Sequence, residues 1–425
     1  MRKAIVNVCR LVLAVVFILS GFVKAVDPLG TQYKLQDYLT AMHLGTVVPD
    51  FATLGASVLL SAVEFCTGIF LLFAIQRRLS SRVALLMMAV MTPLTLWLAV
   101  TNAVGDCGCF GDAVVLTNWQ TFWKNVVLLT CAAILAWRPL DMFRFVSESN
   151  QWIVINYSAL FILAVAGWCL YDLPIFDFRP YHVGADIRQG ITVPEGAAQP
   201  QFETTFIMEK DGQRKTFTID DYPDSTWTFV EAKTRQTSEG YVPPIHDFSI
   251  VTMDDDEDIT TPVLDNKGYT FLLVSPHLEQ ADDSELDLIN GLYDYAIEYG
   301  YDFYCLTAST AADVNRWRDR TGAEYPFCTT DETTLKTIVR SNPGLLLMKD
   351  GVIVRKWSHN SLPDESRLGD RLERLDIGHL PDDSVPGKIA ALLLWFVLPL
   401  AVLTIADRTW MWTKWLRRKK KEKNS

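Results

Sequence analysis

Two cysteines separated by a single glycine carry the most chemistry in this chain. Cys107 and Cys109 lie in Gly105-Asp106-Cys107-Gly108-Cys109-Phe110-Gly111-Asp112. One intervening residue lets the two Cα atoms approach to ~5.5–6.5 Å, within the span a disulfide bridges. The glycine relieves the backbone of so small a ring. Such a ring removes little entropy from the unfolded chain and carries strain, which makes it a poor staple and a suitable exchangeable redox couple. Two other readings stay open: an inert local disulfide or two free thiols, and a metal site. The metal reading has only Asp106, Asp112 and His43 to draw on, a thin set for zinc.

A second group is notable because its residues are costly where they stand. Glu64 falls midway along an apolar stretch, where a charge costs several kcal/mol inside a bilayer. It reads as a proton carrier, as polar lining of a bundle, or as a protonated carboxyl bonded to a neighbouring helix. Lys24 and Asp27 end the first apolar stretch, where lysine can snorkel and the two can pair. Asn102 and Asn125 sit near the same depth, so these residues can line one polar pocket or serve only as helix caps.

The elements that must position these residues are membrane helices. Six segments, 4–26, 51–75, 83–104, 119–137, 152–173 and 389–406, are long and apolar enough to cross ~30 Å of hydrocarbon in ~20 helical residues. Arg2, Lys3 and Arg10 open the chain, Arg77, Arg78 and Arg82 fill the turn after span two, Arg138 and Arg144 follow span four, and a basic run from Arg417 closes it. Six crossings put all these groups on one side, the cytoplasmic one, with both termini. The cysteine loop and residues 174–385 then face outward, into the oxidising compartment outside a bacterial inner membrane. The first span is read as retained, since 23-Val-Lys-Ala-25 is a poor processing site. Cys9, Cys66, Cys131 and Cys169 lie in or beside spans and read as small hydrophobes.

Composition divides the chain in the same way. Residues 174–385 hold 39 acidic against 19 basic side chains, whereas the remainder holds 11 against 20. An acidic module is joined to a basic, apolar one, which argues against nucleic acid as a partner. With 49% apolar residues over 425, disorder and a small disulfide scaffold are also excluded.

Residues 1–140 resemble the DoxX/MauE family of small four-helix membrane proteins. The likeness is carried by Ser20-Gly21-Phe22-Val23-Lys24-Ala25-Val26-Asp27-Pro28, by Glu64 followed by Gly68, and by Cys107-Gly108-Cys109-Phe110-Gly111 ahead of Asn125. The resemblance implies a redox-associated bundle: MauE-like members, named for methylamine utilisation, are linked to disulfide formation in exported partners, and DoxX-like members to electron transfer. A fifth span occupies 141–173, and the sixth with its basic tail occupies 386–425.

Between them, 174–242 reads as β-rich, with strands at 202–208 and 215–219 around a turn near Asp211-Gly212. From 243 to 385 strands and helices alternate: strand 269–274, helix 284–299, strand 301–306, helix 311–321, a short helix over 331–341, then a hairpin of 344–348 and 352–357. A βαβ unit followed by a hairpin is an α/β plan. This part resembles TlpA/peroxiredoxin-like members of the thioredoxin-like class through Pro244-Ile245-His246-Asp247-Phe248 and through Pro343, which matches the family's cis-proline. It departs from them where the redox cysteines belong: the chain reads Val274-Ser275-Pro276-His277-Leu278, which rules out thiol exchange there. His277 reads as structural. Cys305 and Cys328 read as buried thiols or as a structural disulfide, and the acidic run 254–258 reads as a solvated loop without EF-hand spacing.

The fold expected is thus a helical membrane bundle of six spans carrying a thioredoxin-like outward module. The function expected is thiol–disulfide redox chemistry at Cys107 and Cys109 in contact with the bilayer and with an exported protein or thiol partner. The alternatives are a non-catalytic scaffold whose module binds a partner and, more weakly, a transporter using Glu64. No feature calls for quinone, haem or metal.

Overall fold

A computed structural model describes every residue except 1, 46, 195, 198–200, 211–212, 219–226, 239, 242, 383–384 and 424–425. The membrane part is built from α1 (Arg2–Val26), α2 (Pro28–Ala41), α3 (Asp50–Phe73), α4 (Arg77–Thr101), α5 (Asn118–Trp137) and α6 (Gln151–Tyr171). Among the described residues, five helices are long and apolar enough to cross a membrane: α1, α3, α4, the stretch ending in α6, and the C-terminal helix. Helix α5 is 20 residues long. Asn118, Gln120, Lys124 and Asn125 make its first half more polar than the other spans.

Helices α1 and α3 form the spine of the bundle because glycines let their backbones touch. A Cβ on Gly21 would lie 2.4 Å from the Phe65 amide nitrogen, and one on Gly68 would lie 2.7 Å from that of Ile18. The apolar side chains flanking these contacts, including Leu13, Phe17, Phe65 and Ile69, are buried. Helix α2 was not expected: 27–50 reads as a loop. Its sequence, Pro-Leu-Gly-Thr-Gln-Tyr-Lys-Leu-Gln-Asp-Tyr-Leu-Thr-Ala, has weak apolar periodicity. The helix is set by its start, with proline at the first position and Asp27 as the cap, accepting from the Gly30 amide.

After the short α7 (Ile187–Ile191) come β1 (Gln201–Lys210), β2 (Gln213–Thr218) and β3 (Thr228–Ser238), an antiparallel sheet in the order β2-β1-β3. The expected turn at Asp211-Gly212 lies outside the described residues. The following elements are β4 (Val251–Thr252), α8 (Thr260–Asp265), β5 (Tyr269–Ser275), α9 (Leu286–Tyr299), β6 (Asp302–Thr307), α10 (Ala311–Thr321), β7 (Phe327–Thr329), α11 (Glu332–Ile338), β8 (Gly344–Lys349) and β9 (Val352–Ser358). They form one mixed sheet in the order β4-β7-β6-β5-β8-β9. Strands β5 and β6 pair in parallel, β8 runs antiparallel to β5, and Asn342-Pro343 is cis. This is a thioredoxin-like arrangement. Alternate residues of the central strand β5 feed two cores: Tyr269, Phe271 and Leu273 pack with α9 and α10, and Leu272 and Val274 with α11.

The same alternation answers the question of Cys305 and Cys328. Both are buried free thiols, but Cys305 belongs to the first core and Cys328 to the second. They point to opposite faces of the sheet, so the disulfide alternative falls. The acidic residues 254–258 are exposed. Helix α12 (Val385–Lys423) closes the chain, with Phe396 packed on Phe65 and Phe161.

Candidate functional site

The close approach of α1 and α3 brings two ions together inside the bundle. Lys24 Nζ lies 2.6 Å from Glu64 Oε2, with side chains only 7% and 11% exposed. Lys24 also donates to Ser20 Oγ at 3.1 Å, and Ser20 donates in turn to the Cys109 carbonyl. The costly carboxyl in span two is therefore held as half of an ion pair directly beneath the cysteine loop. Lys24 does not pair with Asp27, contrary to the sequence expectation. Asp27 begins a new helix, which turns its carboxylate away from the bundle interior and toward the α/β module.

The cysteine loop lies between α4 and α5. Gly108 adopts φ +62°, a left-handed conformation that reverses the chain between the two cysteines. Cys107 is buried beside Leu98 and Val104, and its carbonyl accepts from the Tyr38 hydroxyl at 2.6 Å. Lys34 pairs with Asp106 at 2.5 Å. Both cysteines are free thiols. The Cys107 thiol bonds Cys109, and this bond holds the Cys109 thiol down to about 6 against the opposing effect of burial, with Lys124 and Lys24 adding to it. The same bond, together with burial, pushes Cys107 well above the ordinary thiol range. The surroundings thus favour the anion at Cys109 and the protonated thiol at Cys107.

Beneath the loop a cavity of about 40 Å³ is lined by Lys24, Glu64, Cys109, Lys124 and Asn125, with three methionines along one wall. That volume holds one or a few waters. Asn125 also donates to Thr95 Oγ1 at 3.2 Å. Asn102 does not join this group. It caps α4 at φ 49° and accepts from Asn118 at 3.2 Å, so the pocket of aligned polar residues contains Lys24, Glu64 and Asn125 but neither Asn102 nor Asp27.

Above the loop a cleft of about 600 Å³ runs between the bundle and the module, bordered by Gly108, Asp112, Asp27, Tyr33 and Arg340. Arg340 grips Asp27 with a fork: Nε lies 3.0 Å from each carboxylate oxygen and Nη2 2.9 Å from Oδ2. Burial pushes the Asp27 carboxyl up, but Arg340 and Arg179 more than reverse this and hold it below the usual range. Pro343, cis after Asn342, lies three residues beyond Arg340 in the chain and does not line this cleft. His277 follows the end of β5 and is engaged by Glu332 at 3.0 Å and Glu279 at 3.4 Å. Among the described residues, no three His, Cys, Asp or Glu side chains gather as a metal ion would require.

Sequence reasoning singled out Cys107, Cys109, Lys24, Glu64 and Asn125, and the fold brings all five to one place. It missed Lys124, Ser20, Tyr38, Lys34 and Arg340. A lysine inside the apolar segment 119–137 is the signal that points to Lys124. The others act through contacts of a helix that the hydropathy pattern does not reveal.

Residues 2–138 match the family model described as methylamine utilisation protein MauE. Residues 202–239 match a domain of unknown function, DUF8463. No curated protein matches the chain. Similar solved structures include the thioredoxin domain of a thiol-disulfide oxidoreductase from Bacteroides vulgatus, at 11% identity and TM-score 0.22 over 26% of this chain and 81% of that one. Another is a conserved protein from Geobacillus kaustophilus, at 12% identity and TM-score 0.25 over 32% and 83%. The MauE match covers about a third of the chain, and the α/β module beyond it has the thioredoxin-like strand order described above.

Proposed function

We propose that this protein is a thiol–disulfide exchange protein of a bacterial inner membrane, with Cys107 and Cys109 as its redox couple facing the exported side. Both termini then lie in the cytoplasm, as the distribution of arginine and lysine over the loops supports. The observation that carries the reading is the placement of the pair: Cys109 lines the same small cavity as Lys124 and the buried Lys24–Glu64 ion pair, surroundings that favour its anion, while the Cys107 thiol beside it is raised.

That asymmetry serves exchange in either direction. In the reduced protein the Cys109 thiolate attacks a partner disulfide; a new S–S bond forms to Cys109 as the partner's own S–S bond breaks and its second sulfur leaves as thiolate. Cys107 then passes its proton to the departed partner thiolate and attacks the Cys109 sulfur, so that the attached partner sulfur leaves as thiolate and the Cys107–Cys109 disulfide closes. In reverse, a partner thiolate attacks the Cys109 sulfur of the disulfide, Cys107 leaves and takes up a proton, and a second partner thiolate then releases Cys109 as the low-pKa leaving thiolate. One disulfide is consumed and one formed, so electrons balance between the two pairs. Lys24 and Lys124 stabilise the anion on Cys109, and Glu64, 2.6 Å away, holds the Lys24 side chain in place within the bundle.

The partner is an exported protein or thiol. The thioredoxin-like module has no sulfur at its own strand end, so it contributes contact and not exchange. Replacement of Cys107 by serine tests the reading, since the first step remains and the second is lost. Cys107→Ser should accumulate a mixed disulfide at Cys109, released by reductant. If Cys107→Ser and the wild type both stay free of adducts while Glu64→Gln abolishes uptake of a solute, the transporter reading replaces this one.

A further inference from the structure

We propose that Arg340, on the module that has lost its own redox cysteines, is a positioning residue for the Cys107–Cys109 pair and acts through helix α2. This deepens the redox reading above and rests on it.

Helix α2 is held from two sides. On the module side, the Arg340 fork engages Asp27, the residue that caps α2 and accepts from Gly30 at 2.8 Å. Arg340 and Lys336 also stand over the Tyr33 ring at 5.2 and 5.1 Å. On the loop side, Lys34 pairs with Asp106, and Tyr38, one turn further on, bonds the Cys107 carbonyl. The Lys34 stem lies so close to Gly108 that a Cβ there would be 3.1 Å from Lys34 Cγ. A second link is direct: Arg340 Nη2 lies 4.0 Å from Asp112 Oδ2, three residues beyond Cys109. The Arg340 side chain is 7% exposed, and a planar fork on a carboxylate fixes orientation as a flexible ammonium cannot.

The consequence follows from how Cys109 is activated. Its thiolate depends first on a bond from Cys107, and Cys107 is oriented by the loop backbone that Tyr38 and Lys34 pin. The charged and titratable groups facing Cys109 are Lys24 from α1, Glu64 from α3, Lys124 from α5 and Cys107 from its own loop, while α2 presents Lys34 and Tyr38 to the loop. Arg340 does not touch the sulfur. Releasing α2 removes the alignment of the donor thiol.

The test uses the reduced full-length protein in nanodiscs, with iodoacetamide labelling of Cys109 followed against pH by mass spectrometry. The midpoint is independent of how accessible the sulfur becomes. Wild type should titrate near 6. Arg340→Ala should raise the midpoint by about one unit or more, a roughly tenfold slowing at pH values below it. Arg340→Lys should fall between. Tyr38→Phe, which leaves the module untouched, should shift the midpoint in the same direction, and combining it with Arg340→Ala should add less than the sum. A wild-type midpoint near 6 with unchanged midpoints in Arg340→Ala and Tyr38→Phe overturns this inference alone, even if the module melts earlier. A wild-type midpoint near the ordinary 9.0 overturns the redox reading and this inference with it.

Discussion

Removing either member of the Lys24–Glu64 pair should destabilise the bundle far more than removing both. The charges are 2.6 Å apart and nearly excluded from solvent. At an effective dielectric of ~20 their gross attraction is roughly 6 kcal/mol. Desolvation of two ions offsets much of that, so the pair itself adds little net stability. A lone partner left behind, however, should cost about 3–5 kcal/mol. Glu64→Leu leaves the Lys24 ammonium bonded to the Ser20 hydroxyl without a counter-charge, and Lys24→Met leaves a carboxylate inside a span. The double variant should lose no more than ~1–2 kcal/mol, giving a coupling energy of several kcal/mol. Unfolding free energies from denaturing-detergent titration in mixed micelles would measure the cycle. Single variants that each cost under ~1 kcal/mol, with additive effects, would refute the ion-pair assignment.

Three further outcomes follow from the same geometry. Gly21→Ala places a methyl group 2.4 Å from the Phe65 backbone nitrogen, so it should cost at least the ~1–3 kcal/mol typical of overpacking, whereas Gly167→Ala, which meets nothing within 4 Å, should be tolerated; thermal unfolding distinguishes them. Cys107→Ala removes the donor to Cys109, so the Cys109 alkylation midpoint should rise from about 6 toward 9.0, and a midpoint that stays low would assign the activation to the lysines instead. The Asp27 carboxyl is depressed in the folded state, so its contribution to docking of the module is full above the unfolded value of 3.8 and is lost as pH falls through the lower folded value. Hydrogen-exchange protection in 332–343, corrected for the intrinsic pH dependence of exchange, should therefore be flat above about pH 4 and fall below it; a transition near pH 6 would point to a histidine.

What the sequence made legible is what hydropathy and strand–helix alternation encode. The spans, the module's order of elements and the convergence of Cys109, Lys24, Glu64 and Asn125 follow from apolar length and from the energetic cost of polar groups within it. Contacts that depend on direction did not follow. Lys24 and Asp27 are three residues apart, which suggests a pair, but the helix ends between them and α2 begins, so each finds a different partner. Cys305 and Cys328 lie on neighbouring strands, yet their register sends them to opposite faces. Helix α2 has no strong apolar period, and Arg340 reaches it from a point 313 residues away in the chain, a separation that no local pattern reports.

The claim on which everything else depends is that Cys107 and Cys109 cycle between dithiol and disulfide in the working protein. Differential thiol labelling in intact cells, read by mass spectrometry of the peptide spanning both cysteines, measures it directly. Both states should be populated, with their ratio shifting between oxidising and reducing growth conditions. A pair locked in one state under every condition would contradict the account.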